Sequence, residues 1–395
     1  MKKLRVGVFG IRRGANFARA FEVNPHTKLV AICDLDNLRI QDFLQGRKDV
    51  AVYEDYDKFL EHDLDIVVLC NYCTEHVPAA IKALRAGSHV LSEVIACKTL
   101  AEGVALCRAV EKSKRVYMYG ENYCYFVYTQ EMQKLYRKGV IGEYRYGECE
   151  YVHDCRPIWH ILTDGPDHWR NWLPATYYCT HSLGPIITIT GRRPIKVNGF
   201  VVLNTLSREV GRKGDDWGVF VCTMDNQALT KVTAWSTGPH DSIWYRLHGT
   251  KGAMENNRWR DTSMLNLYLQ KTIDRGKEKS YLPTFRRQAG KAKKSGHGGS
   301  DFFVVRDFVQ AILKKEKPPI DIYMAMDMTL PGILAYRSAL DNNVSVEVPD
   351  FRREEVRKKY EDDDWSPDPK DKKKGQPLPS VLGEIKIPDS AYLKR

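Results

Sequence analysis

Val6-Gly-Val-Phe-Gly10-Ile-Arg-Arg-Gly14 decides the fold of this chain. An apolar run ends on a glycine, and another glycine follows four residues later. That is the pattern of a strand turning sharply into a helix. Glycines in such a turn let the backbone approach a pyrophosphate, and the helix N-terminus favours its charge. Arg12 stands where the usual pattern has its second glycine, and the spacing to Gly14 is one short. The context supplies what the loop lacks. A second apolar run ends at Cys33-Asp34, and Asp34 falls 24 residues after Gly10. An acid there is placed to bond the adenosine ribose hydroxyls and to repel a 2′-phosphate. Its plain alternative is a strand-end turn residue. Gly10, Ile11, Arg12, Arg13, Gly14 and Asp34 are thus expected to hold NAD rather than NADP.

Working outward, short apolar runs alternate with helical patterns as far as residue 120. Strands are predicted at 5–9, 28–33, 66–70, 89–91 and 116–119, and helices at 16–22, 39–44, 78–85 and 100–113. This alternation predicts a doubly wound parallel sheet. After Gly120 the runs lengthen. Residues 144–154, 195–204, 217–224, 228–237 and 242–248 read as strands of a mostly antiparallel sheet. Helices are predicted at 129–138, 180–190, 301–315 and 321–343. Beyond Asp350 the chain is rich in proline and lysine and reads as an extended tail. The expectation is an α/β protein with a nucleotide-binding domain over 1–120, a substrate-binding and oligomerisation domain over 121–350, and a tail over 351–395.

Composition excludes several classes. The 395 residues are 43% hydrophobic and 28% charged, ordinary for a globular protein with two cores. No run approaches eighteen apolar residues, so no membrane span is expected. Met1-Lys-Lys-Leu-Arg leads directly into the first strand, so no secretory signal is expected and the cytoplasm is the predicted location. Ten scattered cysteines predict no disulfide framework. Cys70-Asn-Tyr-Cys73 is a lone CxxC, read as small residues packing after a buried strand. The net charge of +11 gathers at Lys291, Lys293 and Lys294, at 352–359 and at 370–374. No nucleic-acid motif accompanies it, so neither nucleic acid nor membrane is an expected partner; anionic cofactors and substrates suit it better. His153, His160 and His168 lack a metal-ligand spacing, and no metal is predicted.

The remaining candidates follow the strand order. Asn71, Tyr72 and His76 come after the strand at 66–70, where a loop reaches the nicotinamide half; His76 reads equally as a polar residue opening a helix. Glu93 ends the next strand, facing the crevice where such folds bind ligands, or else serves the dipole of the next helix. Tyr178 and His181 lie one helical turn apart, a spacing that suits either packing or proton transfer. Around them, Trp159, His160, His168, Trp169, Trp172 and Tyr177 either stack on sugar rings or form a core. Arg170, with Arg12, Arg13, Arg156 and Arg192, permits an anionic sugar. His297 in Ser295-Gly-His-Gly-Gly-Ser300 either touches substrate or caps the helix that follows.

Together, the glycine loop, Thr74-Glu-His76, Ala86-Gly-Ser-His89-Val-Leu-Ser-Glu93 and His248-Gly-Thr-Lys-Gly252 resemble the Gfo/Idh/MocA oxidoreductase family from Val6 to about Asp350. The resemblance implies a Rossmann domain plus an α/β domain with a large open sheet, one that often forms dimer contacts. A homo-oligomer, dimer or tetramer, is expected on that ground. Ordinary members carry Glu-Lys-Pro where this chain has Glu93-Val94-Ile95, and an aspartate where it has Tyr177, four residues before His181. A narrower likeness is to the NAD-dependent glycosidases of the superfamily, such as the α-N-acetylgalactosaminidases. It rests on Val94, on Glu121-Asn122-Tyr123-Cys124-Tyr125, on Tyr178-Cys-Thr180-His181-Ser-Leu-Gly184-Pro185 and on Gly296-His297-Gly-Gly-Ser-Asp301. These relatives imply cleavage of a small glycoside by transient oxidation at C3, elimination, hydration and re-reduction, with NAD unchanged overall. The likeness implies His181, Tyr178, Tyr123, Tyr125 and Glu93 as catalytic residues, and Asn122 beside the cofactor. The alternative is a sugar or polyol dehydrogenase with net redox.

Overall fold

A computed structural model describes residues 2–163, 165–235, 237–270, 276–285, 288–293, 295–371 and 373–393. Lys294 and Lys372, each part of a basic cluster, lie outside the described residues.

The N-terminal sheet has six strands: β1 (Leu4–Phe9), β2 (Thr27–Cys33), β3 (Ala51–Tyr53), β4 (Ile66–Leu69), β5 (His89–Ser92) and β6 (Tyr117–Tyr119). Their order is β3-β2-β1-β4-β5-β6, and every pairing is parallel. The order reverses between β1 and β4, which opens a crevice at the carboxyl ends of the strands. All four residues of β4 are buried, as a strand covered on both faces requires. The predicted strands are all present. The helix after β1 runs Ile11–Glu22, five residues earlier than its expected start. Gly14 therefore lies inside it, where a Cβ would sit 2.4 Å from Val8. Close packing of helix on strand, rather than helix propensity, selects that glycine.

The second sheet has nine strands: β7 (Tyr144–Asp154), β8 (Pro194–Val202), β9 (Trp217–Met224), β10 (Leu229–Trp235), β11 (Thr237–Gly249), β12 (Gly252–Asn256), β13 (Leu265–Leu269), β14 (Lys277–Tyr281) and β15 (Val346–Glu347). The order is β14-β13-β12-β11-β7-β10-β9-β8-β15. Among the described residues of this sheet, only β7 and β10 pair in parallel. The buried helix Thr180–Thr190 carries His181 in its first turn. Among the described residues, no helix is long and apolar enough to cross a membrane.

Contacts divide the chain into two compact units. One holds residues 1–97, 101–126 and 284–326; the other holds 98–100, 127–283 and 327–395. Divisions at 120 and 350 would place two stretches elsewhere. The helix Ser300–Lys314 belongs with the N-terminal sheet, because its buried face packs on the helix Ile11–Glu22. Residues 351–371 and 373–393, within the stretch expected as an extended tail, form a strap on the second unit. Ser366, Asp368 and Ser380 are buried. Lys98 pairs with Asp368 at 2.9 Å, and buried Asp215 accepts the Ser380 hydroxyl at 2.6 Å and the Val381 N–H at 3.0 Å. Ser380→Ala leaves part of a buried carboxylate unpaired and should cost ~1–3 kcal/mol. Thermal unfolding measures this; an unchanged Tm would show that the strap is not anchored there.

Candidate active site

In the first unit, Gly10 joins β1 to its helix with φ +87°, a left-handed value that glycine adopts freely. A Cβ there would lie 2.4 Å from the Cys70 carbonyl oxygen. Gly10 offers the helix start no side-chain cap, and its first turn holds no acidic residue. Asp34 ends β2 and accepts the Ile11 N–H at 2.6 Å and the Asp36 N–H at 3.0 Å, so its carboxylate is fixed at the loop. Asn71 Oδ1, just past β4, is buried without a hydrogen-bond partner. The glycine cradle and this orphaned acceptor fit a dinucleotide, which Gly10 and Asp34 would adjoin. Tyr72 is exposed.

His76 points inward. Its ring is 1% exposed, with Nδ1 2.9 Å from the Ile95 carbonyl oxygen and Nε2 3.3 Å from that of Asn71. Burial lowers its pKa despite those carbonyls. It holds the backbone after β5, which the helix-opening alternative comes nearer to than cofactor contact does. In the CxxC, Cys73 is buried, and burial pushes the Cys70 thiol well up; neither cysteine is in a disulfide.

Arg13 does not block the loop. Its Nε meets Glu93 Oε1 at 2.6 Å. Its Nη1 and Nη2 bond both oxygens of Asp301 at 3.0 and 2.8 Å, and its guanidinium lies 4.3 Å from the Phe17 ring centroid. Burial opposes the charge on Arg13, yet Glu93 and Asp301 hold its pKa above the usual value. Asp301 also accepts from His297 Nδ1 at 2.9 Å. Burial alone would raise the Asp301 carboxyl; the bonds from His297 and Arg13 outweigh it and bring the pKa from 3.8 to about 2. The second oxygen of Glu93 accepts the Val94 N–H at 2.9 Å. Asn122, Tyr123 and Tyr125 lie on a buried 3-10 turn after β6. Burial, with Asp307 nearby, raises the Tyr125 phenol well above its usual value and keeps it protonated.

In the second unit, Tyr178 ends a 3-10 turn just before the helix Thr180–Thr190. Its ring meets that of His181 edge to face, 5.2 Å between centroids. The Tyr245 hydroxyl donates to the His181 carbonyl at 2.6 Å and fixes this turn. Sequence reasoning missed Tyr151 and weighed His153 only as a metal ligand. Tyr151 on β7 lies 4.6 Å from the His181 ring, 5.9 Å from Tyr178 and 4.7 Å from His153. Their i, i+2 spacing on a strand was the available signal. Burial lowers the His153 pKa, although Asp241, 3.3 Å away, favours the charged form. Trp169 stands 6.0 Å from Tyr178, with Arg170 over its ring and His168 stacked at 5.4 Å. For the other aromatics the core alternative prevails. Trp159 is buried and donates to Asn171 at 2.9 Å, Trp172 is buried, and Tyr177 packs on Tyr336. His160 is exposed. Among the described residues, no group of three His, Cys, Asp or Glu side chains could hold a metal ion.

Comparison with known proteins identifies both parts. Residues 4–121 match the oxidoreductase family with an NAD-binding Rossmann fold, and residues 212–358 match the C-terminal domain of glycosyl hydrolase 109. A glycosyl hydrolase family 109 protein of Solibacter usitatus is 27% identical over 89% of this chain and 88% of its own length. One of Shewanella amazonensis is also 27% identical, over 89% and 86%. An oxidoreductase domain protein from Kribbella flavida shares the fold at TM-score 0.74 and 23% identity, covering 88% of this chain and 100% of that one. A levoglucosan dehydrogenase in complex with NADH and levoglucosan does so at 0.74 and 20%, with the same coverage. The chain therefore joins a Gfo/Idh/MocA Rossmann domain to a glycosyl hydrolase 109 C-terminal domain. It is an enzyme of the NAD-dependent glycosidase or sugar oxidoreductase class, and NAD is its cofactor.

The carboxyl of Asp301 is depressed in the folded state, so it stabilises the fold above pH 4 and ceases to as pH falls through about 2. The difference amounts to about 2 kcal/mol. Urea unfolding from pH 5 towards 2 should show wild type losing that much more than Asp301→Asn. Parallel profiles would mean that the carboxylate is not held ionised by its partners.

Proposed function

We propose that this enzyme is an NAD-dependent glycoside hydrolase that cleaves a small glycoside without net redox change. The observation that carries this reading is the His181–Tyr178–Tyr151 cluster in a chain whose Glu93 is followed by Val94 instead of a lysine. Bound NAD supplies reversible acceptance of hydride from the sugar C3. A C3 ketone acidifies the C2 proton, and His181 is the base that takes it as the aglycone leaves C1. Tyr178, against the His181 ring, hydrogen-bonds the oxygen on which charge develops. Tyr125, kept protonated by burial, is a further donor on the cofactor side. Glu93, held by Arg13 and the Val94 N–H, orients the nicotinamide ribose or the substrate. The second reading, a sugar dehydrogenase, is supported by the levoglucosan dehydrogenase likeness.

Incubation with aryl glycosides and NAD⁺ in heavy water separates the readings. The glycosidase releases aglycone, places deuterium at C2 and accumulates no NADH. Stoichiometric NADH without aglycone would identify the dehydrogenase, and tight NAD binding with neither product a regulator. His181→Ala should lower turnover at least 10²-fold and leave NAD affinity within about twofold, a general base being worth roughly 10²–10⁴. Undiminished turnover would remove His181 from the chemistry.

A further inference from the structure

His297 is the residue of the Gly296–Asp301 turn that backbone geometry disfavours. Its φ is +52°, with Gly298 at +61° and Gly299 at +98° beside it. A glycine at 297 would adopt that conformation without cost, whereas a side chain there is strained. At Gly296, by contrast, a Cβ would come within 2.5 Å of Asp301 Oδ2 and no side chain is admitted. Capping does not explain the histidine. The Phe302 N–H at the start of the helix Ser300–Lys314 donates to Ser295 Oγ at 3.1 Å. Holding Asp301 ionised is only part of the explanation, because Arg13 already meets both carboxylate oxygens. What remains is the ring itself. Nδ1 is bonded to a carboxylate of zero exposure, while about a third of the side chain stays open.

We propose that Asp301 is a positioning residue that fixes His297 as the Nδ1–H tautomer, leaving the Nε2 lone pair as a proton acceptor for a sugar hydroxyl. In that step the hydroxyl O–H bond breaks, its proton joins Nε2, and the electron pair stays on oxygen. A carboxylate that selects tautomer and ring direction is the general way a histidine is made a directed base. Arg13 lies in the first turn of the helix after Gly10 and bonds this carboxylate, which ties His297 to the nucleotide-binding unit. The proposal rests on the reading that the enzyme oxidises a sugar carbon, whether transiently or with net redox.

The test reads tautomer and turnover separately. In the ¹⁵N-labelled full chain, the imidazole signals absent from His297→Gln should show a protonated Nδ1 and a bare Nε2. His297→Asn retains a donor near Nδ1 and so preserves the bond to Asp301, but offers no base. It should fold and bind NAD within about twofold of wild type, with kcat lowered roughly 10²-fold or more and partly restored by added imidazole. A proton on Nε2 in the wild type, or wild-type kcat in His297→Asn, would overturn the proposal. If the enzyme proves to make NADH from a sugar without cleaving glycosides, the hydrolase reading falls, and the same two readouts taken on that oxidation still decide this one.

Discussion

A single guanidinium organises the first unit. Arg13 lies between Glu93 at the end of β5 and Asp301 at the start of the helix Ser300–Lys314. Two carboxylates buried together without a cation repel strongly in a medium of low dielectric, and one would take a proton. With Arg13 between them both are paired, and the loop after β1, the end of β5 and the Gly296–Asp301 turn are locked to one another. The bond spans 288 residues of sequence. The first unit is therefore incomplete until residues 284–326 return to it, a long-range closure of the kind that slows folding.

The second unit solves a different problem. Its polar groups sit among aromatic rings: Tyr151 between His153 and His181, with Tyr178 against His181 and Trp169 beyond. Rings packed around an imidazole exclude water and restrict its orientation. Asp241 is the carboxylate nearby, and it pairs with His153. The histidine of the first unit is thus held within a buried ion network, and those of the second unit lie among aromatic rings.

Much of the fold was legible because two periodicities differ so plainly along the chain. Val6–Phe9 and Ile66–Leu69 read as buried parallel strands, and Trp217–Met224 alternates as a half-buried one should. β14 was missed because Lys277-Glu-Lys-Ser-Tyr281 is polar at nearly every position, as an edge strand can be. The strap was misread for a related reason. Its lysines and prolines signal solvation, while the few buried contacts at Asp368 and Ser380 leave no pattern. Within the site, the glycine loop, Glu93 and the Tyr178–His181 spacing were visible. Tyr151 was not, since one tyrosine on a strand looks like any other until the helix carrying His181 is packed against it.

The ends of the nine-stranded sheet are unequal, and each terminal strand is short. At one end β14 is short, twice lysine-bearing and exposed; at the other, β15 is two residues long. Neither offers an unpaired ladder of the length and flatness that another chain needs to extend a sheet. A sheet this wide would otherwise be an aggregation template. Any association of copies through it is steered to side chains on its open surface, where self-recognition can end at a closed pair instead of growing into a fibre.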